Sequence, residues 1–194
     1  MGSTPLVRPR ALVVTRQQVK EALINLKKAN AINEYCWLVD HVRCVDVSDN
    51  AEFQRRFNYF YRVRGNKKWR TAFFRIFEKS KTLRQLEFAH VLIDLHKKVK
   101  RIEASFSSKV VATLDPSRPV LDSIVRGHFG LHLPYHYQCD RLAKTVSVYQ
   151  NLEQVMSHAL KTKKWIVRAF DGAFPKHRNI TPMKKLDFVL WKIR

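Results

Sequence analysis

Residues 102–125 read IEASFSSKVVATLDPSRPVLDSIV. From Ser107 to Leu114 the pattern predicts a short helix, and it must stop at Asp115-Pro116, because proline pushes the preceding residue out of helical geometry. A second helix is expected from Asp122 to Phe129, closed by Gly130 at the position just past the end, where a left-handed backbone favours glycine. The stretch is therefore two short helices joined by a proline-rich turn. It places Lys109 at the start of the first and Asp122 at the start of the second.

The same kind of pattern extends outward in both directions. Val19, Ala22, Leu23 and Leu26 follow the i, i+3, i+4, i+7 spacing of an amphipathic helix that Asn30 interrupts. Asp49 to Glu52 has capping-box form and opens a segment with Phe53, Phe57, Phe60 and Tyr61 on related faces. Thr82 to Gln85 has the same form, with Leu83, Leu86, His90, Ile93 and Lys97 continuing one face. Thr181-Pro182 sets an N-cap before proline at the first helical position, and Leu186, Val189, Leu190 and Ile193 line a final, docked helix. Leu12 to Val14 and Cys44 to Val47 look strand-like but are too short to define a sheet. The expected class is all-α. No repeat, low-complexity tract or linker divides residues 1–194, so one compact domain is expected, with Gly127 to Pro134 as the nearest thing to a hinge between two helical lobes.

Composition narrows the function. The 194 residues are 45% hydrophobic and 11% aromatic, with 5 Gly and 7 Pro, which excludes disorder and collagen-like designs. Against that core stand 37 Lys and Arg and 16 Asp and Glu, a formal charge of +21, which points to a polyanionic partner. The excess is uneven: residues 51–100 carry +10 and residues 151–194 carry +7, while each of the other two blocks carries +2. Cys36, Cys44 and Cys139 contain no Cys-x-x-Cys pair and fit a reducing compartment. Residues 1–10 lack the apolar core of a signal peptide, so a cytoplasmic, nucleoid-associated protein is expected.

Chemistry is read first from what is missing. The chain has no Asp-x-Lys or Glu-x-Lys of a metal-dependent nuclease, no phosphate-binding Gly-x-x-x-x-Gly-Lys loop, and no His-Glu-x-x-His. His128, His132 and His136 recur every four residues, but Gly130 and Pro134 interrupt them, so they read as loop or packing residues. No metal and no cofactor is expected. What remains is Lys109 with Asp122. A lysine whose pKa is lowered offers a neutral amine for attack on a sugar C1′. An aspartate nearby can stabilise the positive charge that develops as an N-glycosidic bond breaks. Asp122 also reads as a plain N-cap, and the two roles are compatible.

On these residues, Ser108-Lys109-Val110-Val111 followed by Arg118-Pro-Val-Leu-Asp122-Ser resembles the helix-hairpin-helix DNA glycosylase superfamily, in particular its 8-oxoguanine-glycosylase-like branch. The resemblance covers some 25 residues. It implies an all-α fold of two helical lobes, base flipping into the cleft between them, and excision of an oxidised purine or a hypermodified phage base, in repair or antiviral defence. Asp122 matches the family's aspartate, and Lys109 is the candidate for its lysine. Lys109 would be the nucleophile in a bifunctional enzyme with lyase activity; otherwise it contacts the DNA backbone and Asp122 acts through water. Where the family has a glycine-rich turn, this chain has Ala104 to Ser107, and the lysine precedes the aspartate by thirteen residues. A non-catalytic nucleic-acid-binding module and a metal-dependent nuclease are the rival readings.

Contacts to double-stranded DNA by a monomer are expected from two basic stretches. Arg55, Arg56, Arg62, Arg64, Lys67, Lys68 and Arg70 alternate with aromatics, so cations can meet phosphates while rings stack on bases. Lys161, Lys163, Lys164 and Arg168 form the second patch, and Ser107, Ser108, Arg118 and Arg126 flank the pair. Tyr59 and Trp69 sit among the charges, and Tyr135 and Tyr137 follow the second helix, so these four are the candidates for base stacking.

Overall fold

The computed structural model describes residues 9–193. Most of the N-terminal stretch read for a leader, residues 1–8, lies outside them. The described residues form ten α-helices and no strand: α1 (Arg16–Lys28), α2 (Ala31–His41), α3 (Ala51–Tyr61), α4 (Lys67–Ser80), α5 (Phe88–Val99), α6 (Ala104–Leu114), α7 (Ser123–Gly127), α8 (Arg141–Thr162), α9 (Lys164–Ala173) and α10 (Pro182–Lys192), with a 3-10 turn at Pro175–His177. The class is all-α. None of these helices is long and apolar enough to cross a membrane.

Several helix starts follow from side-chain caps. Thr15 and Gln18 form a reciprocal capping box at α1, and Asn50, Asn66, Asp122 and Thr181 each accept a backbone N–H at the start of α3, α4, α7 and α10. The box expected at Asp49 does not form; the start of α3 is a simple N-cap one residue later, Asn50, with Phe53 at the position a box would need for Glu or Gln. The one expected at Thr82 does not form a helix start: residues 82–87 are turn and loop, and α5 begins at Phe88. Its buried face is Phe88, Val91, Leu92 and Leu95, whereas His90, Ile93 and Lys97 of the predicted face are exposed. The strand-like stretches at Leu12 and Cys44 are loop and turn.

One cluster of buried residues runs from Leu12 to Ile193. Its aromatic centre lies between α3 and α4, where the Phe57 ring stands 5.3 Å from Phe77 and 5.7 Å from both Phe73 and Phe74. Such edge and tilted packing adds to the burial of the rings themselves. Two helices are enclosed almost all round. In α6 every residue from Ser107 to Leu114 is buried, and in α10 every residue from Met183 to Leu190. The latter packs against α1, α7, α8 and α9. These two interior helices carry the charged groups described next.

Candidate active site

A cavity of about 320 Å³ is lined by residues from α3, α6, α7 and α10. Lys109 and Asp122 both face it, together with Arg62 and Arg64 from the loop after α3, and Lys184, Asp187 and Trp191 from α10. Phe60, Tyr61 and Phe188 supply aromatic wall. The volume lies within the range of small-ligand sites.

The turn between α6 and α7 is held from several sides, and this fixes Asp122 on the wall of the cavity that Lys109 also lines. Leu121 N–H donates to Ser108 Oγ at 2.8 Å, Tyr149 OH donates to Pro119 O at 3.2 Å, and Thr181 Oγ1 donates to Pro116 O. Arg118 lies within ion-pair distance of Glu153 on α8 and Glu87 before α5. Asp122 itself caps α7, its Oδ1 accepting from Ile124 N–H at 2.8 Å, and stays half-buried at the cavity wall. The helix ends at Gly127, two residues short of the expected Phe129, and the turn that follows closes on the expected left-handed glycine: Gly130 has φ +65, with Leu131 N–H donating to Arg126 O and Gly130 N–H to Gly127 O.

Lys109 does not begin its helix. With α6 starting at Ala104, Lys109 lies in mid-helix, 8% exposed, its ammonium 4.6 Å from the Phe106 ring centre and 5.6 Å from that of Tyr61. It donates one long hydrogen bond, 3.4 Å, to Tyr61 O. Burial, rather than a helix N-terminus, pushes its pKa down to about 8, with Lys184 adding to the effect and Asp122, Asp187 and Glu103 opposing it. A sizeable fraction of neutral amine at physiological pH follows.

Deeper in the same site, Lys184 Nζ donates to Asp187 Oδ2 at 2.6 Å, and both residues are buried. Burial is the largest influence on Lys184 and would lower its pKa, but the charge and hydrogen bond of Asp187, with Tyr61 and Asp122, together hold the ammonium above the ordinary lysine value. Four rings surround that ammonium: Phe188 at 4.7 Å, Tyr35 at 4.9 Å, Phe60 at 5.8 Å and Tyr61 at 5.9 Å. Sequence reasoning took α10 as a docked apolar helix and missed this pair. The legible signal was a lysine and an aspartate three apart inside a helix with no solvent-facing side.

The mouth is cationic. Arg62 and Arg64 are exposed, and the Arg62 guanidinium lies 5.9 Å from the Trp191 ring centre. Arg62 ends α3 in a left-handed conformation, φ 53, at the position where glycine is usual. Three residues on, a Cβ at Gly65 would come 2.2 Å from Trp69 Cε3, so glycine is required for the loop to pass under that indole.

Of the residues predicted to meet DNA, the structure brings Arg62 and Arg64 to the cavity. Arg55, Lys67, Lys68 and Arg70 are exposed on α3 and α4, and Lys161 and Lys164 are exposed where α8 meets α9, with Lys163 half-buried between them. Others are corrected by their surroundings. Ser107 and Ser108 are fully buried, their hydroxyls donating to Glu103 O and Ser105 O, so neither reaches a phosphate. Arg56 pairs with Glu34 and Glu52 over the Trp37 ring, Arg118 is paired as above, and Arg126 donates to Leu131 O. Trp69 stacks on Phe73 at 5.1 Å and donates through Nε1 to Glu103, so its ring serves the core. Tyr59, Tyr135 and Tyr137 are exposed, the last two stacked on each other at 5.5 Å, and none lines the cavity. His128 bonds Leu190 O through Nε2, while His132 and His136 are exposed.

No family model matches the chain, and no curated protein or solved structure matches it.

Proposed function

We propose that the protein is a DNA N-glycosylase of the helix-hairpin-helix type, two-lobed, acting as a monomer on double-stranded DNA and removing one damaged or modified base. The observation that carries this reading is the meeting of a buried, readily deprotonated Lys109 with a half-buried Asp122 in one nucleotide-sized cavity. Arg62 and Arg64 at the mouth, continued by exposed Lys67, Lys68 and Arg70, would engage the phosphates on either side of the extruded nucleotide. Phe60, Phe188 and Trp191 line the cavity and would stack on the base.

In the lysine-dependent reaction, the Lys109 amine forms a bond to C1′ as the C1′–N glycosidic bond breaks. The bonding pair leaves with the base, which takes up a proton from water. The new C1′-bound ammonium sheds its proton to Asp122, whose carboxylate has stabilised the positive charge on the sugar. In a monofunctional reaction Asp122 would instead take the proton of an attacking water.

The test is release of free base, followed by mass spectrometry in EDTA, from cellular, oxidised and phage-derived modified DNA, for the wild type, Asp122→Asn and Lys109→Gln. Release that Asp122→Asn abolishes is expected. Borohydride trapping of a protein–DNA adduct, lost in Lys109→Gln, assigns the nucleophile. No release from any substrate with DNA binding intact would leave a non-catalytic nucleic-acid-binding module as the reading, supported by the +21 charge. Activity that EDTA abolishes would point to a nuclease.

A further inference from the structure

The cavity holds two lysines and two aspartates, and the reaction above uses one of each. The unused pair is the more deeply placed. Lys184 and Asp187 are 4% and 6% exposed, on a helix buried along eight consecutive residues. A buried ion pair is weak as a stabiliser, since apolar residues of similar volume often serve the fold as well or better. Its position gives it another use. Both lysine ammoniums lie near one ring, that of Tyr61, at 5.6 Å from its centre for Lys109 and 5.9 Å for Lys184.

The partners of the two lysines differ in kind. Lys184 is fixed by a carboxylate at 2.6 Å and enclosed by four rings, so it stays an ammonium. Lys109 has one long bond to a carbonyl and no carboxylate within hydrogen-bond distance. We propose that the Lys184–Asp187 pair is a positioning pair: its fixed ammonium, facing the same Tyr61 ring as Lys109, opposes protonation of the Lys109 amine and so enlarges the share of Lys109 that can react. The assignment deepens the reading of Lys109 as the reactive amine and rests on it.

The groups facing Lys109 are few and can be named by element. Tyr61 stands on α3, with Arg62 and Arg64 in the loop that follows; Glu103 precedes α6, Asp122 caps α7, and Lys184 and Asp187 belong to α10. Asp122, Glu103 and Asp187 favour the charged form of Lys109, and Lys184 opposes it, in addition to burial. Removing the Lys184 cation leaves Asp187 either ionised and attracting the Lys109 ammonium, or protonated and silent. Both outcomes move Lys109 toward the protonated state.

The experiment labels Lys109 with cyanate, a small reagent that carbamylates neutral amines, and follows the site by peptide mass spectrometry against pH without DNA. In the wild type the rate should rise with a midpoint near pH 8. In Lys184→Met the midpoint should move up by about one pH unit, lowering the rate near pH 7 about tenfold, with the plateau at high pH unchanged. Lys184→Arg, which keeps the cation, should stay within about threefold of wild type at every pH. An unmoved midpoint in Lys184→Met overturns the proposal, and so does a changed plateau without a midpoint shift, which marks loosened packing. If Lys184→Met fails to fold, Lys184→Gln, which removes the cation but can still donate a hydrogen bond to Asp187, carries the same expectation. Because no DNA is present, a null result here with base release intact refutes the pair's role and leaves the glycosylase reading standing.

Discussion

Lys109 should weaken the fold that holds it. A lysine brought from its ordinary 10.5 to about 8 has a charged form that is disfavoured in the native state, by about 3 kcal/mol on the scale of 1.36 kcal/mol per pH unit. Any attraction of the ammonium to the Phe106 and Tyr61 rings is already contained in that net difference. Lys109→Met keeps the unbranched stem between the same rings and removes the charge. The variant is therefore expected to be more stable near pH 7 by up to about 3 kcal/mol, a rise in Tm of up to about 10 °C for a chain of this size. The sign with pH is fixed by linkage. Between about pH 8 and 10.5 the unfolded wild type binds more protons than the native form, so wild-type stability increases with pH across that window and the advantage of the variant closes. Urea unfolding of both proteins near pH 7 and near pH 10 measures the difference. A Lys109→Met variant that loses stability by the same amount at both pH values would refute the reasoning, since the lysine would then be a structural contact.

Asp122→Asn should keep the cap of α7, because asparagine caps as well as aspartate, and so leave the unfolding midpoint unchanged while base release is lost; Asp122→Ala should lose activity and about 1 kcal/mol of stability together. Arg62→Gly relieves the left-handed backbone at φ 53 and should raise stability by about 1 kcal/mol while weakening DNA binding, as chemical denaturation and a DNA titration would report. DNA affinity should fall roughly 10³-fold between about 50 and 200 mM salt if about six phosphates are engaged, measured by fluorescence anisotropy. Phe57→Ala, at the centre of the ring cluster between α3 and α4, should cost about 3 to 5 kcal/mol in urea unfolding without a change in the salt slope of binding.

Most helices legible in the sequence have a local start signal. Thr15, Asn50, Asp122 and Thr181 cap with their own side chains, and the segments they open, α1, α3, α7 and α10, are all expected within a few residues. The cap is neither sufficient nor necessary: α4 starts at a capping Asn66 and is not anticipated, while α5 and α6 are expected from their apolar pattern although Glu87 and Glu103 form no side-chain cap. The helices α2, α8 and α9 begin at Asn30, Asp140 and Lys163 without a cap hydrogen bond and were not anticipated, although α8 is the longest and buries Thr145, Tyr149, Leu152, Met156 and Ala159 at alternating steps of four and three. Likewise α6 starts at Ala104 rather than Ser107, behind an uncapping Glu103, and this moved Lys109 from a helix end to a helix middle.

The amino-acid sequence alone determined the helical class, the proline stop after Leu114, the cap at Asp122, the glycine at 130 and the excess of positive charge. Each depends on neighbours within a few residues or on composition. Tertiary structure decided which charges are buried and which face one another. It placed Lys184 and Asp187, some sixty residues beyond Asp122, in the same cavity, turned Trp69 inward onto Phe73, and occupied Arg56, Arg118 and Arg126 with partners inside the fold. A side chain's protonation and reach depend on what surrounds it in space, and those surroundings exist only once distant helices have packed.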